Sequence, residues 1–142
     1  IVAYAEANGI SHLLHVRHGV NYGDLPVFYK LAEAFVYPSR IEGFGIPMLE
    51  AITSGLPAIG CTGSCLEEAG GPTSLYVNPD DVEGMADAIH SVYNDVSLRQ
   101  NMIAQGKEYA RRFDIAKLTS DLYEVYKTVC GSHRGVGPNS LL

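Results

Sequence analysis

The sequence predicts an α/β protein built on an open parallel sheet with helices on both faces. Three observations carry this. Short apolar runs rich in β-branched and aromatic residues recur at 34–37, 58–61 and 74–77. Segments of helical period alternate with them. The links between are short and marked by Gly, Pro, Asp and Asn, and strands alternating with helices over short links pair in parallel with the helices as crossovers.

Residues 1–8 read as the end of a helix that Gly9 stops, and a chain that opens inside a helix without a starting methionine is expected to be an excised piece. The next run, 12–18, reads as a short strand. His12, His15 and His18 recur every third residue and so invite a metal site, but strand side chains alternate between faces. His15 would face away from the other two, which favours surface histidines and no metal. Asp24 is placed to cap a helix over 25–33, with Pro26 in its first turn. The strand at 34–37 is ended by Pro38. Pro47 suits the first turn of a helix, where a missing N–H costs nothing, and the helix runs to Ser54 with Gly55 as its stop.

A strand follows at 58–61, then the loop Thr62-Gly63-Ser64, a helical turn at 66–69 and the last strand at 74–77. Asp80 and Glu83 have the spacing of a capping box for a helix reaching Tyr93. Asn94 and Asp95 punctuate before a helix over 97–112. Asp114 caps another, in which Ile115, Leu118, Leu122, Val125 and Val129 share one face. That stripe reads as core or docking surface. From Gly131 onward the period is lost, so the domain is expected to occupy 1–130 and the tail 131–142 to be disordered.

The chemistry concentrates in 36–50, a strand, a glycine loop and a helix start. Glu50 is the only charged side chain between Gly43 and Cys65, on a helix otherwise made of residues such as Met48, Leu49, Ala51 and Ile52. Such a helix is expected to be buried, and a buried carboxylate needs partners. Glu50 can simply complement the helix dipole, or accept hydrogen bonds from a vicinal diol, as acidic residues do for ribose. The backbone N–H groups of Gly43, Phe44, Gly45 and Ile46, just ahead of a helix, form a ready anion site. Ligands of open parallel sheets bind outside the carboxyl ends of the strands. Those ends are expected at 18–21, 38–45, 62–64 and 78.

Composition narrows the classes. The chain has 142 residues, 46% of them apolar, and a net charge of −6 with no basic stripe, which excludes broad nucleic-acid binding. No run approaches the roughly 20 apolar residues that a membrane-spanning helix needs. Cys61, Cys65 and Cys130 have no metal-ligand spacing, and an odd count suggests free thiols in a reducing, cytoplasmic setting.

The string Pro38-Ser39-Arg40-Ile41-Glu42-Gly43-Phe44-Gly45-Ile46-Pro47-Met48-Leu49-Glu50-Ala51 resembles the E-x-x-x-x-x-x-x-E signature of retaining glycosyltransferases, notably family 4 with the GT-B fold. Gly55-Leu56-Pro57-Ala58 and Leu66-Glu67-Glu68-Ala69-Gly70-Gly71 resemble the segments that follow, and the likeness extends from about Gly9 to Tyr126. It implies the Rossmann-like, C-terminal half of that fold. It implies sugar transfer from a nucleotide diphosphate sugar with retention, and no cofactor. Residue by residue, Glu42 would lie against the donor sugar as the catalytic carboxylate. The amides of Phe44 to Ile46 would hold sugar and phosphate oxygens, with Gly43 beside them in the donor site, Glu50 would hold the ribose hydroxyls, and His18, Gly19 and Val20 would run beside the base.

The sequence departs from the family where Glu67 replaces a proline and Pro72 an aspartate. Nothing here matches the family's first two strands of this half, its glycine loop and basic diphosphate clamp, or its N-terminal domain for a sugar or glycolipid acceptor. The expectation is therefore a transferase parent, cytoplasmic or membrane-peripheral, of which this piece alone is inactive. The sheet edge left by the absent strands would be exposed, or satisfied by rearrangement or a homo-oligomer. Two other classes stay open: an inactive nucleotide-sugar-binding module, and an epimerase or phosphorylase on a related fold. A phosphorylase would need a lysine for its pyridoxal group, and Lys30, Lys107, Lys117 and Lys127 all read as solvated helix residues.

Overall fold

A computed structural model describes residues 1–132. Its centre is a three-stranded parallel sheet of β1 (Phe35–Tyr37), β2 (Ala58–Cys61) and β3 (Leu75–Val77), in the order β1-β2-β3. The register sets Val36 beside Ile59 and Ile59 beside Leu75. β2 is buried along its whole length, which is why it reads as an unbroken apolar run.

Helices cover both faces, as expected. On one face α3 (Ile46–Thr53) and α4 (Leu66–Gly70) pack Met48, Ile52, Leu66 and Ala69 against Phe35, Tyr37 and Tyr76. On the other, Val92 of α5 (Val82–Asn94) and Leu98 and Met102 of α6 (Val96–Ala110) meet Val36, Ile59, Leu75 and Val77. The side chain of Arg99 in α6 closes the end of α5, donating to the carbonyls of Val92 at 2.9 Å and Tyr93 at 2.7 Å. The far end of α6 returns to α3, where Gly106 leaves room for Ile52. The remaining helices are α1 (Val2–Ala7), α2 (Leu25–Leu31) and α7 (Ile115–Ser132).

Several expectations are corrected. Residues 12–18 form no strand: Ser11–Leu13 is a turn of 3-10 helix and the following residues are irregular and mostly exposed. A strand exists only by pairing, and among the described residues β1 pairs with β2 alone. The outer edge of β1 thus carries no strand partner here. Asp81, not Asp80, caps α5, accepting from Gly84 N–H at 2.8 Å. Asp80 is turned instead to Arg40. Asp95 caps α6 through Leu98 N–H at 2.9 Å, and Asp114 accepts from Ala116 N–H at 2.8 Å at the start of α7. Asp24 stands at the N-cap of α2 but its side chain makes no cap hydrogen bond.

The stripe on α7 joins no core of the described residues: Leu118, Leu122, Val125 and Val129 are about half exposed and Ile115 more so. α7 runs through Gly131 to Ser132, and the rest of the tail, 133–142, lies outside the described residues. All three cysteines are free. No helix among the described residues is long and apolar enough to cross a membrane.

Candidate functional site

The site grows from the loop between β1 and α3. β1 carries the chain to the carboxyl edge of the sheet, and Gly45 turns it back into α3. Gly45 adopts φ +98°, in the left-handed region open to glycine, and its carbonyl accepts the first helical hydrogen bonds from Met48 and Leu49. Pro47 sits in the first turn, where no donor is needed. Among the described residues, no acceptor in the chain meets the N–H groups of Gly43, Phe44, Gly45 or Ile46. Four free donors at the N-terminus of an eight-residue helix make an anion-attracting edge. A Cβ placed on Gly43 would meet nothing within 4 Å, so the loop has open space in front of it.

The two glutamates flank these amides. The Tyr37 phenol donates to Glu42 at 2.8 Å. Ser39 first, and Tyr37 second, hold the Glu42 carboxyl below its ordinary range, so it stays ionised at neutral pH. The Cys65 thiol donates to the Glu42 carbonyl at 3.1 Å and ties this loop to the start of α4. Phe44 packs edge-to-face on Phe113 at 5.5 Å, which anchors the loop to the segment after α6. Arg40 pairs with Asp80 at 2.5 Å, linking the carboxyl ends of β1 and β3, with both side chains largely exposed.

Glu50 is half-buried rather than buried. α3 packs by Met48, Ala51 and Ile52, and the side bearing Leu49, Glu50 and Thr53 faces a cleft. Each carboxylate oxygen of Glu50 has a phenol partner: Tyr22 donates to Oε1 at 2.6 Å and Tyr29 to Oε2 at 3.0 Å. Tyr22, Tyr29, Leu25 and Pro26 line this cleft of about 280 Å³ together with Leu49 and Glu50. His18, Gly19 and Val20 are exposed in the irregular stretch before Tyr22.

Sequence reasoning missed Tyr22, Tyr29 and Tyr37. The one signal for the first two is their seven-residue spacing across the start of α2, which sets both phenols toward α3. That signal has no meaning until the segment is docked.

These contacts predict a titration. Burial, and then the Glu50 hydrogen bond, raise Tyr29 to about 12, while the Glu50 hydrogen bond is the main cause that raises Tyr22. A phenol whose folded pKa lies above its unfolded value of about 10 stabilises the fold fully below that pH. The contribution disappears as pH rises through the folded value, toward about 12 for Tyr29. Glu50→Gln is expected to let both phenols ionise at lower pH, read by ultraviolet absorbance titration; an unchanged curve would refute the pairing.

The family model of glycosyl transferases group 1 matches residues 1–109. The chain is 36% identical over 104 residues to O-antigen chain mannosyltransferase B of Escherichia coli, covering 73% of this chain and 27% of that protein. It is 36% identical over 97 residues to O-antigen chain mannosyltransferase RfbU of Salmonella typhimurium, covering 68% and 26%. Sucrose-phosphate synthase from Thermosynechococcus elongatus superposes with a TM-score of 0.80 at 22% identity, over 92% of this chain and 33% of that one. At that identity the likeness shows the fold, the GT-B α/β arrangement. The chain spans about a quarter of the length of these two mannosyltransferases.

Proposed function

The chain belongs to the glycosyl transferases group 1 family, and on that premise we propose that it is the nucleotide-sugar-binding portion of a retaining glycosyltransferase. The observation that carries this is the row formed at one sheet edge by Glu42, four unpartnered amides and Glu50. Each element matches one part of a nucleotide diphosphate sugar.

The amides of Gly43, Phe44, Gly45 and Ile46 receive sugar and diphosphate oxygens, helped by the positive end of α3. Departure of the diphosphate puts negative charge there, so the same donors stabilise the leaving group. Glu50 takes the ribose hydroxyls. A carboxylate offers about four acceptor sites, more than the two phenol hydrogen bonds fill, so the group has the acceptor capacity for a diol. Glu42, kept ionised by Ser39 and Tyr37, faces the sugar and stabilises positive charge developing at the anomeric carbon. His18, Gly19 and Val20 run beside the base.

The mannosyltransferase relatives favour a hexose donor. The acceptor, a sugar or glycolipid, is bound by the rest of the parent protein, so this chain alone binds donor without turning it over. No cofactor is required.

The test is calorimetric titration of the chain with UDP, GDP and ADP and their sugars, beside Glu50→Ala. Saturable binding of one nucleotide is expected, weakened at least about tenfold in the variant, since hydrogen bonds to a charged group are worth about 1.5–3 kcal/mol each. Binding unchanged by Glu50→Ala, or none to the folded chain, would refute the reading.

A further inference from the structure

The two phenols on Glu50 differ in how firmly they are held. Tyr29 belongs to α2, is half-buried, and packs edge-to-face on Phe35 of β1 at 5.7 Å. Tyr22 is 75% exposed and sits on the single 3-10 turn Tyr22–Asp24, next to Gly23. Its one side-chain hydrogen bond among the described residues is the 2.6 Å contact to Glu50 Oε1.

A phenol O–H on a carboxylate oxygen has the same donor chemistry as a sugar hydroxyl on that oxygen. An exposed, lightly held phenol is therefore a stand-in that a hydroxyl can replace bond for bond. Resting on the donor reading above, we infer that Tyr29 is the fixed positioning residue of the carboxylate, whereas Tyr22 occupies the place of a ligand hydroxyl on Oε1 and leaves when the nucleotide's ribose enters. The cleft between the rings is the space the nucleoside then takes.

The two tyrosines thus act with opposite signs. While Tyr22 is docked, only the undocked fraction of the protein presents Oε1 fully, and the apparent dissociation constant rises by the inverse of that fraction. Removing the Tyr22 hydroxyl lifts this penalty and keeps the ring that lines the cleft. Removing the Tyr29 hydroxyl leaves the carboxylate free to turn.

The experiment titrates the chain by calorimetry with UDP, GDP and ADP and with the 2′,3′-dideoxy form of whichever binds, in wild type, Tyr22→Phe, Tyr29→Phe and Glu50→Gln. Melting temperatures establish that each variant is folded. Tyr22→Phe is expected to bind the ribonucleotide about three- to tenfold tighter, and Tyr29→Phe more weakly by a similar factor. The Tyr22→Phe gain is expected to vanish for the dideoxy nucleotide and in the Tyr22→Phe/Glu50→Gln double variant, which no general loosening of the fold would produce. If wild-type binding depends on Glu50 but Tyr22→Phe binds equally or more weakly, this inference is overturned and the donor reading stands. If binding ignores Glu50, the donor reading falls and takes the inference with it. Failure of the folded wild type to bind any of the three nucleotides likewise refutes the donor reading and takes the inference with it.

Discussion

Gly45→Ala is expected to destabilise the protein by about 2–5 kcal/mol, combining the cost of a left-handed non-glycine residue with overpacking of a filled core. Gly45 has φ +98°, and an added Cβ would lie 2.6 Å from Leu66 Cδ2 and 3.3 Å from Ala69 Cβ. Neither neighbour can retreat: Leu66 and Ala69 are fully buried, and Ala69 has no rotamer to change. Relief would come by moving the start of α3 away from α4, which displaces the free amides with it. Gly43→Ala is the matching control. Its Cβ enters open space and its φ is not positive, so stability is expected to change by less than about 0.5 kcal/mol. The added methyl fills the space in front of the loop, so nucleotide binding is expected to weaken all the same. Urea midpoints and calorimetric titration separate the two effects. Equal midpoints for Gly45→Ala and wild type would refute the packing argument.

Met48→Ala is the second large effect, expected at about 2–5 kcal/mol from lost burial and the cavity left behind. Met48 is fully buried and fills a trough made by two glycines. A Cβ on Gly60 would lie 3.0 Å from its sulfur, and one on Gly70 would lie 2.5 Å from its methyl. This side chain seats α3 on β2 and α4, so it also sets the height of Glu50, two residues further along the helix. Met48→Leu keeps most of the volume and is expected to cost less than about 1.5 kcal/mol. The comparison is read from urea midpoints, and similar losses for the two variants would show that the trough collapses instead of holding a cavity. The loss of nucleotide affinity in Met48→Ala is expected to exceed that in Met48→Leu.

Most of the site's frame was legible before any packing was considered. The run into Pro38, the glycines around Phe44, Pro47 at the helix start and Gly55 at its end are local signals, and β1, the loop and α3 follow them within a residue or two. Glu50 stood out as an isolated charge in an apolar stretch, and Glu42 through the likeness of its string to the two-glutamate signature. Their partners did not. Tyr37 is five residues from Glu42, but Tyr22 and Tyr29 lie 28 and 21 residues from Glu50 and reach it only once α2 docks beside α3.

The errors have the same origin. Asp80 has the spacing of a helix cap, yet Arg40, 40 residues away, holds its side chain, and Asp81 caps α5 instead. The run at 12–18 has strand-like composition, but composition supplies no neighbour to pair with. Glu50 was expected to be buried because its helix is apolar, whereas α3 leaves one side to the cleft.

By itself the sequence determined the alternation of strands and helices, the sheet edge that carries the glycine loop, and the two carboxylates on it. Periodicity, glycine and proline act within a few residues and are written in order along the chain. Tertiary structure alone decided which phenols hold Glu50, how far Glu50 is open, and which aspartate is free to cap. Those outcomes depend on distances between segments that are remote in sequence, and such distances exist only after the helices have packed on the sheet.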